Sequence, residues 1–157
     1  MKLSDFFVTD SIVPELKSSD RNGVLRELVE SLAACGSLEP EHTEAVVRAV
    51  IQRENQGSTG FGKGVAVPHI KHANVKTMLA TIGRSSQGVD FAALDRAPVF
   101  TVVLLLSPAD DPDAHLAAME RIFRHLQHDN FRKFLRQADT KDAIRDLILE
   151  ADEIHAE

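Results

Sequence analysis

Apolar residues recur every three or four positions in the first third of the chain, which predicts two amphipathic helices. The first helix is expected to be capped within residues 18–20, to run for about fifteen residues and to end at Gly36. The second is expected to begin at Pro40 and to end near Glu54, with Arg53 in its last turn. The expected buried positions are Val24, Leu25, Leu28, Val29 and Leu32 in the first helix and Ala45, Val46, Ala49 and Val50 in the second, with Ile51 at the edge of that stripe.

The middle of the chain carries shorter apolar runs that have the length of β-strands. Residues 65–67 and 77–83 are predicted strands, and residues 88–91 are predicted to form a hairpin arm or an edge segment. Residues 99–106 are almost entirely apolar, which indicates a central strand covered on both faces. Residues 1–17 mix apolar pairs with polar residues and predict a short strand or a single turn.

Helical spacing returns in the last third of the chain. Asp111 is expected to cap a helix with Pro112 in its first turn, and His115 then lies close to the end of the central strand. The expected buried stripe of this helix is Leu116, Met119, Ile122, Phe123 and Leu126, while His125 and His128 are expected to reach solvent. A short helix is predicted around Phe131, Phe134 and Leu135, and a last one, capped by Thr140, carries Ala143, Ile144, Leu147 and Ile148. Residues 150–157 are expected to be frayed.

The order of these elements, helices followed by strands and then by helices again, predicts a layered fold. The chain has 157 residues, a length typical of a single domain, and we predict one domain over residues 1–157. The predicted fold class is α/β (α+β), with a mixed β-sheet flanked by helices.

Composition narrows the possible function classes. The chain has 18 basic and 24 acidic residues and a net charge of −6, which argues against a nucleic-acid partner because such proteins carry a basic face. The single cysteine, Cys35, excludes an internal disulfide and is expected to be buried at a helix end. No apolar run reaches the ~20 residues of a transmembrane helix, and the N-terminus lacks a signal-peptide pattern. A cytoplasmic protein without direct membrane insertion is therefore expected.

The densest chemical pattern lies in residues 57–72. Four glycines precede a short β-branched run, and Pro68 separates that run from His69. Residues 57–63 match the G-x-x-x-x-G-K pattern of a nucleotide-binding loop, but Gly64 replaces the Ser or Thr that binds magnesium. The loop also follows a helix, whereas a nucleotide-binding loop follows a strand. A nucleoside triphosphatase is therefore disfavoured.

Metal binding and serine catalysis also fit this chain poorly. His69 and His72 form an H-x-x-H pair, but no third ligand accompanies them, so no metal or other cofactor is predicted. Ser58 and Ser107 lie in no nucleophile-elbow motif. Phosphoryl transfer to His69 fits better, because a neutral imidazole can attack phosphorus while glycine N–H groups and the Arg53 guanidinium neutralise phosphoryl oxygens. The simpler alternative is a tight glycine turn in which His69 only caps a strand.

These residues resemble the enzyme IIA domain of the phosphoenolpyruvate-dependent sugar phosphotransferase system, in its fructose, mannitol and nitrogen-regulatory class. That class carries an arginine–glutamate pair, here Arg53 and Glu54, followed by T-G-x-G-x-G-[IV]-A-[IV]-P-H, here residues 59–69. A second signature, an apolar strand that ends in proline before an acidic loop and His-Leu, matches residues 104–116. The resemblance covers essentially the whole chain and implies a mixed β-sheet flanked by helices.

The resemblance also implies roles for individual residues. His69 would accept the phosphoryl group, His115 would orient or stabilise that group, and Arg53 would pair with its charge. The phosphoryl group would receive further hydrogen bonds from Thr59, Gly60 and Gly62. No metal or cofactor is implied.

Two functions follow from the resemblance. The chain would accept phosphate from the histidine-phosphorylated phosphocarrier protein and pass it to a sugar-specific IIB component. Alternatively, it would be a nitrogen-type regulatory module whose phosphorylation state selects protein partners, without sugar transport. Lys71 follows the family pattern, but Ile70 stands where the family usually has a small residue. A third alternative is therefore an inactive member in which Ile70 blocks transfer.

Overall fold

The computed structural model describes residues 1–154, which form five α-helices and a five-stranded sheet. The helices are α1 (Arg21–Ala34), α2 (Pro40–Gln56), α3 (Pro112–Leu126), α4 (Asp129–Gln137) and α5 (Lys141–Ile154). The strands are β1 (Gly60–Gly62), β2 (Val65–Ala66), β3 (His69–His72), β4 (Leu79–Val89) and β5 (Val99–Pro108). Two short 3-10 helices, Leu3–Asp5 and Thr9–Ser11, precede α1.

β5 is the central strand of the sheet. β4 pairs antiparallel with one side of β5, and β2 and β3 pair parallel with the other side. Val65 lies opposite Thr101 and His69 lies opposite Leu105. His69 follows Val65 by the same number of residues as Leu105 follows Thr101. β2 and β3 therefore keep one register against β5 and form one strand that is interrupted at residues 67–68. β1 pairs antiparallel with β2, so the predicted mixed sheet is confirmed.

Helices cover both faces of the sheet. α1 and α2 pack on one face, and α3, α4 and α5 pack on the other. Alternate residues of β5 enter the two apolar cores, with Val102, Leu104 and Leu106 in the first and Val103 and Leu105 in the second. All of them are buried. The predicted burial of β5 on both faces is therefore confirmed, and it follows from the alternation of side chains along a strand.

The predicted helix starts are confirmed where a side chain accepts a hydrogen bond from the first turn. These pairs are Asp20 with the backbone N of Gly23, Asp111 with that of Ala114, and Thr140 with that of Ala143. Gly36 follows α1 with φ +78°, a conformation that glycine adopts without the steric penalty of a Cβ atom. Local hydrogen bonding thus sets most helix boundaries here.

Three details predicted for the first two helices are wrong. α2 continues to Gln56, and Val47 rather than Ala45 lies in its buried stripe. Cys35 is exposed. It lies in the turn that ends α1 rather than on the apolar face of the helix, so its apolar neighbours in sequence do not cover it.

The predicted apolar stripe of α3 is wrong at Leu116, while Ile122 and Leu126 are buried and Met119 and Phe123 pack partly buried against the same core. Leu116 is 67% exposed, whereas the buried positions are His115, Ala118, Ile122, His125 and Leu126. The expected solvent exposure of His125 is therefore wrong, while His128 is exposed as expected. Histidine is treated as a polar residue when a hydrophobic pattern is read. Because two histidines of this helix are buried, the pattern of apolar residues alone does not predict which side of α3 faces the core.

Two predictions about the strands are also corrected. Residues 77–83 and 88–91 were expected to be separate segments, but β4 spans Leu79–Val89 with an irregularity between Arg84 and Val89. Pro68 interrupts the strand before His69 without ending it, because only its N–H is missing. Its carbonyl oxygen still accepts a hydrogen bond from Leu105 N at 3.0 Å.

Residues 150–154 are helical rather than frayed, and the expected fraying of residues 155–157 lies outside the described residues. Asp152 of α5 is buried and accepts hydrogen bonds from the backbone nitrogens of Leu3 and Ser4, at 2.7 and 2.9 Å. This carboxylate joins the last helix to the first turn of the chain. Residues 1–17 were predicted to form a short strand or a single turn, but they form the two 3-10 helices, with isolated β-bridges from Phe7 to Ala80 and from Val13 to Gly83.

Candidate functional site

His69 begins β3 beside the interruption at Pro68. Its Nδ1 atom lies 2.7 Å from the carbonyl oxygen of Val67. Because a carbonyl oxygen can only accept a hydrogen bond, Nδ1 carries the ring proton. Nε2 is then the nitrogen with an available lone pair, and it is the nucleophilic position of the neutral ring.

His115 lies in the first turn of α3, with its ring centroid 5.6 Å from that of His69. The residue is 5% exposed. Its Nδ1 atom lies 2.7 Å from the Oγ atom of Ser107, a buried residue near the end of β5. In the sequence, Ser107 is marked only as a possible nucleophile, and no local pattern signals its contact with His115, since that contact depends on how α3 lies against β5.

Arg53 lies in the last turn of α2, as predicted. Its Nη1 atom donates a hydrogen bond to the carbonyl oxygen of Gly57 at 2.9 Å, which complements the negative end of the helix. One open cleft is lined by Arg53, His69, Ile70, Lys71, His115, Leu116 and Met119. The structure therefore brings together the three residues that were predicted to be catalytic.

Thr59, Gly60 and Gly62 do not line this cleft. Thr59 donates from its backbone N and its Oγ1 atom to the two oxygens of the Glu54 carboxylate, at 2.7 and 2.6 Å. A Cβ atom on Gly60 would come within 2.9 Å of the Ala93 side chain, so close packing requires glycine there. The contact of these three residues with a phosphoryl group stays a prediction.

Glu54 is a functional candidate that only the structure explains. The residue is 2% exposed, and the two hydrogen bonds from Thr59 satisfy its carboxylate. The carboxylate thereby fixes the start of the glycine loop to the end of α2. Its negative charge also acts on His69, where it partly opposes the lowering of the imidazole pKa that burial causes.

Burial lowers the pKa of His69 and outweighs the opposing effect of its backbone hydrogen bond, and the positive charge of Arg53 lowers it further. Burial also lowers the pKa of His115, with additional lowering by the charges of His69 and Lys71. Both imidazoles are therefore neutral at physiological pH. A neutral ring at His69 is the state that can attack an electrophile.

The titration midpoint of His69, followed by NMR of its ring, is expected below the reference value of about 6.5. The Arg53→Gln variant is expected to raise this midpoint, because the nearby guanidinium disfavours the imidazolium form. Arg48 lies on the same helix with its side chain 79% exposed, so Arg48→Gln serves as the control and should leave the midpoint unchanged. A midpoint that stays the same or falls in Arg53→Gln would contradict this account.

Ile70 is buried and belongs to the apolar core on the α1 and α2 face of the sheet. It lies opposite Leu106 of β5, which belongs to the same core. Ile70 borders the cleft, but adjacent residues of a strand point to opposite faces, so its side chain is directed into this core and not along the face that carries His69. The structure therefore gives no steric support to the hypothesis that a branched residue at this position blocks access to His69.

His72, at the far end of β3, does not line the cleft, and its Nδ1 atom accepts a hydrogen bond from Asn74 N at 3.1 Å. Within residues 1–154, the group of side chains close enough to share a metal ion is Glu39, Glu41 and His42 at the start of α2, of which the two glutamates are exposed and His42 is half-buried. None of these residues lines the cleft of His69. No helix in the described range has both the length and the apolar composition of a membrane span.

The chain matches known proteins over nearly its whole length. Residues 5–151 match the family model described as phosphoenolpyruvate-dependent sugar phosphotransferase system, EIIA 2. The fructose-specific EIIABC component of Bacillus subtilis is 34% identical over 152 residues, which are 97% of this chain and 24% of that protein. The nitrogen regulatory protein of Bradyrhizobium diazoefficiens is 33% identical over 144 residues, which are 92% of each chain.

Solved structures share the fold. The nitrogen regulatory protein IIA-Ntr of Neisseria meningitidis superposes with a TM-score of 0.83 at 26% identity, covering 93% of this chain and 98% of that chain. The mannitol enzyme IIA of Escherichia coli, solved in complex with its phosphorylated enzyme IIB, gives 0.74 at 19% identity over 92% of this chain and 99% of that chain. With the family match, these likenesses lead to one conclusion. The chain belongs to the EIIA 2 family of the phosphoenolpyruvate-dependent sugar phosphotransferase system, whose members act as phosphotransfer components.

Proposed function

We propose that this chain is a cytoplasmic phosphoryl carrier that accepts phosphate on Nε2 of His69. The donor is the histidine-phosphorylated phosphocarrier protein, and the acceptor is a IIB component. The observation that carries the proposal is the hydrogen bond from Nδ1 of His69 to the Val67 carbonyl, because it holds the ring proton on Nδ1 and leaves Nε2 as the nucleophile. Arg53 and His115 on the same cleft support the proposal, since they can bind a phosphoryl group.

In the proposed step, the lone pair of His69 Nε2 forms a bond to phosphorus while the bond from phosphorus to the donor histidine breaks. His69 keeps its Nδ1 proton, so the phosphorylated ring gains positive charge, which the Val67 carbonyl stabilises. The Arg53 guanidinium and an N–H of His115 neutralise the phosphoryl oxygens. Nδ1 of His115 lies 2.7 Å from Oγ of Ser107. We propose that the hydroxyl is the donor in this hydrogen bond, so that the His115 proton is held on Nε2, where it can serve as the donor to the phosphoryl group.

The cleft also offers a docking surface for a partner protein. Leu116 is 67% exposed at its rim, next to His115 and close to Met119. Exposed apolar residues beside a reactive group are typical of protein interaction sites. This arrangement suits a donor and an acceptor that are themselves proteins.

The Leu116→Glu variant is expected to accept phosphate about 10- to 30-fold more slowly at low donor concentration, because a charge replaces an apolar side chain on the proposed docking surface. The rate is measured by the time course of the phosphate adduct in intact-mass spectra. Leu94 is 82% exposed in the loop after β4, outside the cleft, so Leu94→Glu is the matched control and should retain the wild-type rate. Equal rates for Leu116→Glu and the control would exclude Leu116 from docking.

A second candidate function is regulation by phosphorylation. The observation that favours it is the superposition with a nitrogen regulatory protein IIA-Ntr at a TM-score of 0.83, compared with 0.74 for the mannitol enzyme IIA. A phosphoryl group adds about −1.5 to −2 charges beside the exposed Leu116. That change would alter which regulatory target proteins bind this surface, without sugar transport.

The carrier proposal is tested by incubating the protein with phosphoenolpyruvate, enzyme I and the phosphocarrier protein. We expect one acid-labile phosphate adduct in the intact mass, and phosphorus–nitrogen coupling in NMR spectra to Nε2 rather than Nδ1 of His69. An unmodified protein in the presence of active upstream proteins would overturn the carrier and the phosphorylation-dependent regulator alike. Transfer onward to a IIB component would distinguish the first function from the second.

A further inference from the structure

A second cleft, lined mainly by positive charges, lies between the turn that joins β1 and β2, the strand β4 and the helix α4. Its charged lining residues are Lys63, Arg84, Asp129, Arg132, Lys133 and Arg136. Five of these six are cations, although the whole chain has a net charge of −6. We call this group of residues the basic cleft. Neither the phosphoryl-transfer chemistry nor the packing of the core accounts for it.

Two arginines of the basic cleft are held in place by backbone carbonyl groups. Arg84 donates from Nε to the carbonyl oxygen of Arg136 at 2.7 Å, and Arg132 donates from Nη1 to that of Leu126 at 2.6 Å. Their side chains are 13% and 11% exposed, and each also pairs with a carboxylate. These two guanidinium groups therefore form a fixed and largely charge-balanced wall.

The other three cations have no carboxylate partner within residues 1–154. The ammonium groups of Lys63 and Lys133 are exposed and make no hydrogen bond or ion pair in this range. The Arg136 guanidinium lies 3.5 Å above the ring of Phe100, which fixes its position and leaves its charge unpaired. The Lys63 turn is itself held by a 3.0 Å hydrogen bond from Lys63 N to Asp95. Three unpaired charges thus converge on one concave surface.

We propose that the basic cleft binds a small anion with two or more phosphate groups, of the chemical class of pyrophosphate and nucleoside diphosphates. Phosphate oxygens accept several charge-assisted hydrogen bonds from guanidinium and ammonium groups. Every residue that lines the cleft is charged or polar, which favours a small anion over an apolar protein segment. Outside the basic cleft, acidic residues outnumber basic residues. The surrounding surface therefore repels a long polyanion such as a nucleic acid.

The basic cleft is separate from the cleft of His69. Arg84 lies opposite Thr101 of β5, whereas His69 lies opposite Leu105. These two positions are about 13 Å apart at the usual strand rise. The two clefts share no lining residue. Binding in the basic cleft therefore requires neither a phosphorylated His69 nor the proposed carrier function.

The test is a calorimetric titration of the unphosphorylated protein with sodium pyrophosphate. Wild type is expected to bind saturably, and Lys133→Gln is expected to raise the dissociation constant about tenfold, the effect of losing one charge-assisted hydrogen bond. A second variant, Lys63→Asn with Lys133→Gln, is expected to weaken binding further; asparagine tolerates the positive φ at position 63. Lys17 is exposed and lies outside the cleft, so Lys17→Gln is the matched control.

Unchanged binding in Lys17→Gln and in His69→Gln, with weaker binding in the two cleft variants, supports the proposal. Equal weakening in Lys17→Gln would show a general charge effect and overturn it. Loss of binding in His69→Gln would place the anion at the other cleft, and the absence of saturable binding by wild type would also refute the proposal. Binding of a glutamate-rich peptide without binding of pyrophosphate would assign the cleft to an acidic protein segment instead.

Discussion

The His69→Gln variant is expected to acquire no phosphate when it is incubated with phosphoenolpyruvate, enzyme I and the phosphocarrier protein. Glutamine keeps a polar side chain at the start of β3 and can still donate to the Val67 carbonyl, but its amide nitrogen is not a nucleophile. Arg53 and His115 can still bind a phosphoryl group in this variant, but no nucleophile remains beside them to form the bond to phosphorus. The measurement is the intact mass of the variant after a time that gives complete modification of the wild type.

The matched control for this variant is His72→Gln, which removes a histidine from the same strand but outside the cleft. Its phosphate adduct should form at the wild-type rate. Both variants should retain the circular dichroism and thermal unfolding of the wild type, since His69 and His72 are only half-buried. A phosphate adduct on His69→Gln would assign the acceptor role to another residue. If neither His69→Gln nor His72→Gln forms an adduct, the loss would be attributed to a disturbed fold rather than to removal of the acceptor.

The His115→Ala variant is expected to accept phosphate about 10²- to 10³-fold more slowly than the wild type, because it removes a preorganised donor to the phosphoryl oxygens. The adduct should still form on His69 at long times, since the nucleophile is intact. The measurement is the single-turnover rate of adduct formation under excess phosphorylated donor. This readout separates the chemical contribution of His115 from weaker docking, which excess donor would overcome.

His115 is buried against Ser107, so its removal is also expected to lower the free energy of unfolding by about 1–3 kcal/mol. Ser107→Ala keeps both histidines and tests the same mechanism without removing the donor ring. It is expected to slow transfer about tenfold, because the ring proton of His115 is no longer held on Nε2. His128→Ala, at an exposed position after α3, is the control. Equal transfer rates in His115→Ala and the wild type would remove His115 from the mechanism.

Several features of this protein follow from short stretches of sequence. Asp20, Asp111 and Thr140 cap helices in the structure as their sequence context predicts, because a cap needs only a side-chain oxygen and an N–H group a few residues away. The apolar run of β5 likewise predicts its central position, since burial on both faces excludes polar residues from most positions. The resemblance of residues 53–54, 59–69 and 104–116 to one family likewise predicts that His69, His115 and Arg53 lie in a single site.

Tertiary structure decided what local pattern does not contain. The orientation of α3 depends on how the helix packs on β5, and it determined that His115 and His125 are buried while Leu116 is exposed. Packing also showed that Ile70 points into the core.

The sequence by itself determined the helix caps, the central strand and, through the family resemblance, the three residues predicted to be catalytic, because each depends on neighbours along the chain or on a specific motif. Only the tertiary structure decided which nitrogen of His69 contacts the Val67 carbonyl, which group holds His115, and that Thr59 bonds to Glu54. These contacts join residues only two, eight and five positions apart along the chain. Each nevertheless depends on a turn whose geometry is fixed by packing: the interruption between β2 and β3, the loop from β5 to α3, and the turn after α2. A sequence pattern gives the spacing of these residues but not the conformation of the turn between them.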